Sequence, residues 1–513
     1  MNNRIFSTAI MAGAMLITAS ASLADGRPDL NVAVTLNPPR LDPMAENSNV
    51  NARVMKNVLE TLIRTDSQND GALVPGLAES WSRIDGRTVE FKIRQDVTCH
   101  NGEAFDANDV AFSLGPVRFM GEDAPGWAIA QQYLGGLEAV DVVDDHTVQI
   151  RFQDRDPLIE LRFANWMTEM VCQEGYEAAG SWESWVQHPV GTGPYQVGEV
   201  VHGDFIRLDA NDNYWGGEVP ANSVTFKVVP EMASRIAGLT TGEYDFITEL
   251  TTDQFSVLDG NDELKVAGGP IRNIRVIIFD EKNPQLQDVR IRQALSHAID
   301  RDLIVDAMFG SRVTVPNGMQ MKIFGDLYIA DHEGTGYDPD RAIALLEEAG
   351  YNGEEISYRY LQDYYTGEVD TAQILAEMWR QVGLNIKLEL VENWGQIEDV
   401  AEGRGIFNWS NSAEYPDPLG QIYRLYGPRG WFQANNTFES EEFNALGEVL
   451  KVGETPERIA AMREMLEIYE RTDPPGTYLH TLPMFYGVRS TIDWEPTDTG
   501  FMDFSSNSLN LSN

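Results

Sequence analysis

Beyond residue 288 the chain alternates stretches of helical and strand periodicity, and this alternation constrains the fold more than any other feature. Asp338 followed by a proline is typical of a helix start, and Gly350 ends that helical pattern. A second helical stretch covers 370–382, and apolar residues then alternate with polar ones over 384–390. Units of a helix followed by a strand predict an α/β domain.

The first half of the chain has a different pattern, with short strands and tight turns. Val89, Phe91 and Ile93 alternate with polar residues, which predicts a half-buried strand, and 147–152 repeats the pattern. One helix is predicted over 50–63. A chain of 513 residues is too long for a single hydrophobic core, so two or more domains are expected.

The charge balance excludes two classes of partner. The chain has 38 Lys and Arg residues against 80 Asp and Glu residues, a net charge of −42. Such a surface repels phosphate groups, so neither nucleic acid nor anionic lipid is an expected partner. The acidic residues are scattered along the chain, which indicates a solvated acidic surface.

The N-terminus has the parts of a secretory signal peptide. A short positive segment, 1–4, precedes an apolar segment, 5–19, and small residues follow up to a cleavage position after Ala24. No later stretch has the roughly 18 uninterrupted apolar residues of a transmembrane helix. No cysteine lies near Ala24, so a lipid anchor has no attachment point. The mature chain is expected to be exported and not inserted in a membrane.

The chain has two cysteines, Cys99 and Cys172. In an exported chain an even pair predicts one disulfide, and the alternative is two buried free thiols. Two cysteines cannot form a cysteine-based zinc site by themselves.

The search for catalytic motifs leaves one pair of carboxylates. None of the seven histidines is paired at the spacing of a zinc-binding helix, and the chain has neither a nucleotide P-loop nor a GxSxG nucleophile elbow. We therefore expect no catalytic residue, no cofactor and no resident metal. Glu414 and Asp417 keep one alternative open, the paired carboxylates of a secreted glycoside hydrolase.

The stretch 394–432 combines aromatic side chains with a small acidic turn. It contains Trp394, Trp409 and Trp431, and the turn at 414–418 reads EYPDP. The two prolines exclude a helix there, so a rigid loop presents carboxylates among aromatic rings. The pattern fits a ligand site or a surface turn over an aromatic core.

Several short motifs occur together and in a characteristic order along the chain. They are LDP at 41–43, GLAESW at 76–81, HNGEAFDANDV at 100–110, GTGPY at 191–195, GEYD at 242–245, DVRIRQAL at 288–295 and LLEEAGY at 345–351. In this order and spacing the chain resembles the extracellular solute-binding proteins of family 5. These are the dipeptide-, oligopeptide- and nickel-binding proteins of ABC importers.

The resemblance implies a two-lobed, hinged α/β fold of the large class II periplasmic binding protein type. Lobe I would comprise 25–270 and 480–513, with an inserted subdomain at about 57–190, and lobe II would comprise 271–479. Strands near 274–279 and 479–486 would form the hinge. The protein is then expected to be a periplasmic monomer that closes on its ligand and docks on the permease subunits of an ABC importer.

In the peptide-binding members of the family, an acidic residue of the lobe II loop pairs with the α-amino group of the ligand, and Glu414 falls at that place. Gln362 stands where dipeptide-binding members carry an arginine for the ligand carboxylate, and Arg424 or Arg429 could substitute for it. The predicted ligand contacts are Glu414, Tyr415, Asp417, Trp394, Trp409, Trp431, Tyr364 and Gln362.

With these contacts, the expected ligand is a short peptide or another amine-bearing small solute. An oligosaccharide or glycoside bound by the same fold is the second hypothesis, because aromatic faces suit sugar rings. A metal-chelate carrier and the secreted hydrolase are less favoured than either of these.

Overall fold

The computed structural model describes residues 26–44, 48–66, 71–362, 364–400 and 403–511. The predicted signal peptide, 1–24, lies outside the described residues. Within the described ranges, no helix combines the length and the hydropathy needed to span a bilayer.

Most of the described strands belong to a single large sheet. The strands are β1 (Asp29–Val34), β2 (Ile63–Asp66), β3 (Ala72–Pro75), β4 (Ala78–Arg83), β5 (Thr88–Ile93), β6 (Leu137–Asp144), β7 (Thr147–Phe152), β8 (Tyr195–Val201), β9 (Phe205–Ala210), β10 (Ser223–Val228), β11 (Phe246–Ile247), β12 (Leu264–Phe279), β13 (Glu355–Leu361), β14 (Asn385–Val391), β15 (Ile406–Ser412), β16 (Gly476–Arg489), β17 (Asp493–Trp494) and β18 (Leu509–Asn510).

The longest of the described helices lie in the second half of the chain. They are α1 (Asn49–Met55), α2 (Ala107–Leu114), α3 (Trp127–Tyr133), α4 (Ile159–Arg162), α5 (Gln173–Ala178), α6 (Trp182–Trp185), α7 (Met232–Thr241), α8 (Phe255–Asp259), α9 (Val289–His297), α10 (Arg301–Phe309), α11 (Pro339–Ala349), α12 (Glu368–Gln381), α13 (Trp394–Glu398), α14 (Ile422–Tyr426), α15 (Trp431–Ala434), α16 (Glu441–Val452) and α17 (Thr455–Glu467).

The large sheet has ten strands in the order β14-β13-β15-β12-β16-β11-β1-β10-β9-β8. At one end β1 pairs in parallel with β10 and β11, and at the other end β13 pairs in parallel with β14 and β15. We call the part built on β1, α1 and β8–β11 lobe I, and the part built on β13–β15 and α9–α17 lobe II. The predicted two-lobed α/β fold is confirmed.

The strands β12 and β16 connect the two lobes. They pair in antiparallel fashion along most of their length, with register shifts on either side of Ile274. Pro270 lies opposite Pro483 at this irregular point. Because proline has no backbone N–H, neither residue can donate a ladder hydrogen bond there. The predicted lobe boundaries at 270 and 480 fall within these two strands.

A second sheet, in the order β4-β5-β7-β6, has its own hydrophobic core. We call the region built on β4–β7 and α2–α6 the subdomain. Phe91 packs edge-on against Phe163 in this core, with ring centroids 5.4 Å apart. A disulfide joins Cys99 to Cys172, as the sequence predicted, and the alternative of two free thiols is wrong.

The helix predicted over 50–63 is too long, because α1 ends at Met55. The periodic apolar residues that follow are still buried, with Val58 and Leu62 both 0% exposed. Beyond Met55 the backbone turns to another segment, where Gly193 N donates to Val58 O at 3.0 Å. The apolar spacing therefore predicted correctly which residues are buried, but the prediction of a helix beyond Met55 is wrong.

Removal of the disulfide tests its contribution to stability. The double variant Cys99→Ser/Cys172→Ser should lose about 2–5 kcal/mol of unfolding free energy, because the bridge restricts the unfolded chain. Urea denaturation with and without reductant measures this loss. Reduced wild-type protein should match the variant, and equal stability of oxidised wild type and variant would contradict the prediction.

His100 should make stability depend on pH. Gly191 N donates to its Nδ1 at 3.2 Å and its Nε2 lies 3.0 Å from Gly193 O, so the folded ring is neutral. Burial lowers the pKa of His100 from 6.5 to about 4. The unfolded chain therefore binds a proton below pH 6.5 that the folded chain does not bind until about pH 4, and stability falls as the pH drops through this window.

Between about pH 7 and pH 5, wild type should lose about 2 kcal/mol more unfolding free energy than His100→Gln, whose side chain does not titrate. Urea unfolding at the two pH values gives the comparison. Parallel losses in both proteins would assign the pH dependence to other groups.

Candidate ligand-binding cleft

A cavity of about 830 Å³ lies between the lobes. Lobe I contributes Arg40 and Asn49 to its lining, the subdomain contributes Trp166, and lobe II contributes Trp409 and Glu414. Small-molecule sites typically enclose about 300–1,000 Å³. The cavity is therefore the candidate site, and its walls come from segments far apart in the sequence.

Five rings of lobe II form one side of the cavity, which we call the aromatic wall: Tyr364, Tyr365, Trp394, Trp409 and Trp431. The ring centroid of Trp394 lies 4.8 Å from that of Tyr364 and 5.0 Å from that of Trp409. Trp431 continues the row at 5.0 Å from Trp409. The structure thus brings together four of the predicted contacts, the three tryptophans and Tyr364.

A buried ion pair lies behind the aromatic wall. The guanidinium of Arg275 stacks 3.7 Å from the ring centroid of Tyr365, and its Nη1 donates to Trp409 O at 2.6 Å. Glu368 lies 3.7 Å from Arg275 and accepts a hydrogen bond from Asn408 Nδ2 at 2.7 Å. Burial raises the pKa of Glu368, while Arg275 opposes that shift. The pair holds the wall in position from its buried side.

Glu414 lies where lobe II meets the subdomain. Its Oε2 accepts hydrogen bonds from Asn165 Nδ2 at 3.0 Å and from Trp166 Nε1 at 3.1 Å. Its Oε1 lies 3.8 Å from Arg424 Nη2 and accepts no hydrogen bond from the described residues. A carboxylate oxygen has two lone pairs, so Oε1 can still accept a hydrogen bond from a ligand.

Further polar contacts join lobe II to the subdomain. Arg162 Nη1 donates to the hydroxyl of Tyr415 at 3.2 Å, and Asp156 holds Arg162 by an ion pair of 2.6 Å. Arg424 Nη1 donates to the hydroxyl of Tyr133 at 3.1 Å. Because these bonds connect the two sides of the cavity, the cleft is closed in this structure.

Two predicted contacts, Asp417 and Gln362, lie outside the cavity lining formed by the described residues. Asp417 pairs with Arg458 at 2.7 Å and accepts a hydrogen bond from Leu419 N at 2.9 Å. Burial raises the pKa of Asp417, and Arg458 opposes that shift. Asp417 therefore fastens its loop to α17, whereas Gln362 is an exposed residue just after β13.

Sequence reasoning missed the subdomain side of the cavity. The side chain of Asn165 accepts a hydrogen bond from Met167 N and so caps a short 3-10 helix, Trp166–Thr168. This cap positions both Asn165 and Trp166 against Glu414. An asparagine before a short apolar stretch was the available signal, but nothing local indicated which carboxylate it would meet.

A two-lobed α/β fold with a cavity between its lobes, and contacts across that cavity, defines a class of proteins that bind a small solute by closing around it. Residues 72–433 match the family model described as bacterial extracellular solute-binding proteins, family 5 middle. The chain belongs to this family, as its motifs predicted.

Individual relatives match over most of their length. The chain is 27% identical to heme-binding protein A of Haemophilus influenzae over 400 residues, covering 72% of each chain. It is 27% identical to the dipeptide-binding protein of Escherichia coli over 373 residues, covering 67% of this chain and 69% of the relative.

Among solved structures, the chain is similar to a dipeptide-binding protein of Pseudoalteromonas in complex with Met-Leu. The TM-score is 0.84 at 21% identity, covering 94% of this chain and 99% of the other. At this identity the similarity is evidence for the fold.

Glu368→Gln tests the support of the aromatic wall. The change leaves Arg275 buried beside a neutral side chain, so the unfolding free energy should fall by about 3–5 kcal/mol and the near-UV circular dichroism of the tryptophans should change. Glu377→Gln, at an exposed position of the same helix, is the control. Equal stability and an equal spectrum for Glu368→Gln would show that the ion pair does not hold the wall.

Proposed function

We propose that this chain is the periplasmic solute-binding component of an ABC importer. It captures a short peptide or another amine-bearing small solute between its lobes and delivers it to the permease in the membrane. The observation that carries the proposal is the Glu414 carboxylate, which lines the cavity with Oε1 still able to accept a hydrogen bond.

An ammonium group that leaves water needs an anionic partner, because a buried unpaired charge is very costly. Glu414 offers that charge at a place where two subdomain donors already fix the carboxylate. Arg424 Nη2, at 3.8 Å from Glu414 Oε1, offsets part of the carboxylate's charge. A ligand ammonium at Oε1 would then complete a charge-assisted hydrogen bond.

The aromatic wall supports a ligand with an apolar body. Rings packed at about 5 Å from one another present a rigid surface, which favours binding because little side-chain freedom is lost on contact. The name of the Escherichia coli relative supports a peptide, and that of the Haemophilus relative indicates that ligands differ among relatives.

The position of Asp417 argues for binding without catalysis. A glycoside hydrolase needs two carboxylates that flank one bond of the substrate. Glu414 lines the cavity, whereas Asp417 pairs with Arg458 outside the described lining. The two carboxylates therefore do not share a substrate position in this structure.

An oligosaccharide or glycoside is the second candidate ligand, favoured by the same row of rings. A thermal-shift screen with free peptides, oligosaccharides and metal chelates ranks the ligand classes. A ligand at about 100 times its Kd adds roughly 2.7 kcal/mol of stability. Stabilisation by oligosaccharides with none by peptides would reverse the proposed order.

Glu414→Gln tests the amine anchor. The amide oxygen can still accept from Asn165 and Trp166, so the fold should persist, while loss of the charge should weaken binding of free peptides by about tenfold or more. Isothermal titration calorimetry with the best peptide of the screen gives the Kd.

The matched control is Glu442→Gln, which removes an exposed carboxylate of lobe II and should leave the Kd unchanged. An unchanged Kd in Glu414→Gln, with wild-type thermal stability, would remove Glu414 from the proposed site.

A further inference from the structure

Among the described residues, three arginines line the cavity, and two of them lie beside a carboxylate. Arg272 pairs with Asp498 at 2.6 Å, and Arg424 lies 3.8 Å from Glu414. No carboxylate of the described residues lies within ion-pair distance of Arg40, whose side chain donates no hydrogen bond to them either. In a chain of net charge −42, Arg40 is an exposed cation of the cavity lining that has no carboxylate partner among the described residues.

The backbone of Arg40 is held in place although its guanidinium is not. Asn51 Nδ2 donates to Arg40 O at 2.7 Å, and the next residue, Leu41, donates its N–H to Val186 O at 2.9 Å. Arg40 also follows two consecutive prolines, which restrict the chain before it. The side chain therefore starts from a fixed point on lobe I.

The guanidinium lies 5.6 Å from the ring centroid of Trp182, which is itself fixed. Trp182 Nε1 donates to Asp42 Oδ2 at 3.0 Å, and Asp42 pairs with Arg118 at 3.0 Å, both side chains being 0% exposed. Asp42 belongs to the LDP motif at 41–43. The motif thus positions the ring against which Arg40 rests.

We propose that Arg40 is the anion-binding residue of the cleft and takes a carboxylate of the bound solute. A guanidinium matches a carboxylate in a bidentate arrangement, and a fixed base reduces the entropy lost when the pair forms. Arg40 belongs to lobe I and Glu414 to lobe II, so a solute bearing both a carboxylate and an ammonium contacts both lobes. This inference deepens the proposed function and rests on it only for the contact between Glu414 and the ammonium group of the solute.

Dipeptide-binding members of the family carry an arginine for the ligand carboxylate where this chain has Gln362. Arg40 would supply that positive charge from another place in the cleft. Both residues are exposed, but Gln362 lies outside the described cavity lining and Arg40 belongs to it. The cleft then favours zwitterionic solutes over amines without a carboxylate. A solute contacting both lobes binds the closed form more strongly than the open form and shifts the population towards closure.

Two single-charge probes separate the two ends of the site. Phenylpropionate carries a carboxylate and no amine, and phenethylamine carries an amine and no carboxylate. Ligand-observed NMR titrations measure the Kd of each probe with wild type, Arg40→Gln, Arg40→Lys and Glu414→Gln. Arg207→Gln is the matched control, because it removes one positive charge from lobe I outside the described cavity lining.

Phenylpropionate should bind Arg40→Gln about tenfold or more weakly than wild type, because a charge-assisted bidentate contact is lost. Arg40→Lys should restore part of the affinity, and Arg207→Gln and Glu414→Gln should not weaken it. Wild-type affinity in Arg40→Gln, or no binding of phenylpropionate to wild type, would overturn the assignment of Arg40.

The phenethylamine series reports on the proposed function separately. If its binding does not depend on Glu414 while phenylpropionate depends on Arg40, the amine anchor fails and the anion subsite stands. If the Kd of phenethylamine depends on Glu414 while the Kd of phenylpropionate does not depend on Arg40, the anion subsite is wrong and the proposed function stands.

Discussion

The antiparallel pair of β12 and β16 is the constraint on which the rest of the structure depends, because these two strands belong to both lobes. Pro270 faces Pro483 where the ladder passes between the lobes, and neither proline can donate a hydrogen bond. A change of angle at this point would break few ladder bonds, while the pairing on either side keeps each lobe intact. The position of every cavity wall follows from this connection.

The cleft is closed by polar contacts between lobe II and the subdomain. Glu414 accepts from Asn165 and Trp166, and Arg162 donates to Tyr415. A hydrogen bond to a charged group that replaces bonds to water contributes about 1.5–3 kcal/mol, so a few contacts of this kind can open and re-form. Closure by a large apolar interface would be far harder to reverse, and release of a solute needs a reversible closure.

Two parts of the cavity lining, the aromatic wall and the surface at Arg40, have a buried ion pair behind them. Arg275 and Glu368 hold the aromatic wall, and Asp42 and Arg118 hold Trp182 beneath Arg40. Buried pairs contribute little net stability when their desolvation is included, but removing one partner is costly. Their consequence here is geometric, since they keep the rings of the cavity lining at fixed positions.

Local chemistry made parts of the fold predictable from the sequence. Asp338 caps α11 and Gly350 ends it at a φ of 71°, as the residues themselves indicated, because caps and turns depend on near neighbours. The helix predicted over 50–63 is longer than the observed one, because residues after Met55 are still buried, against Gly193 and its neighbours. The apolar spacing therefore continues after the helix has ended. Apolar periodicity alone could not separate the two cases.

In the candidate site, too, some residues could be predicted from local sequence and others depend on distant contacts. Glu414 and the three tryptophans stood out because they lie within one stretch, 394–432, where composition alone sets them apart. Arg40, Asn165 and Trp166 come from other parts of the chain and meet that stretch at the cavity. Local propensity and family motifs predict the types of the elements and the residues of one wall of the cleft. The opposite wall, and which of its charges have a partner among the described residues, depend on contacts between residues more than 100 positions apart. Those contacts form when lobe I, the subdomain and lobe II pack together.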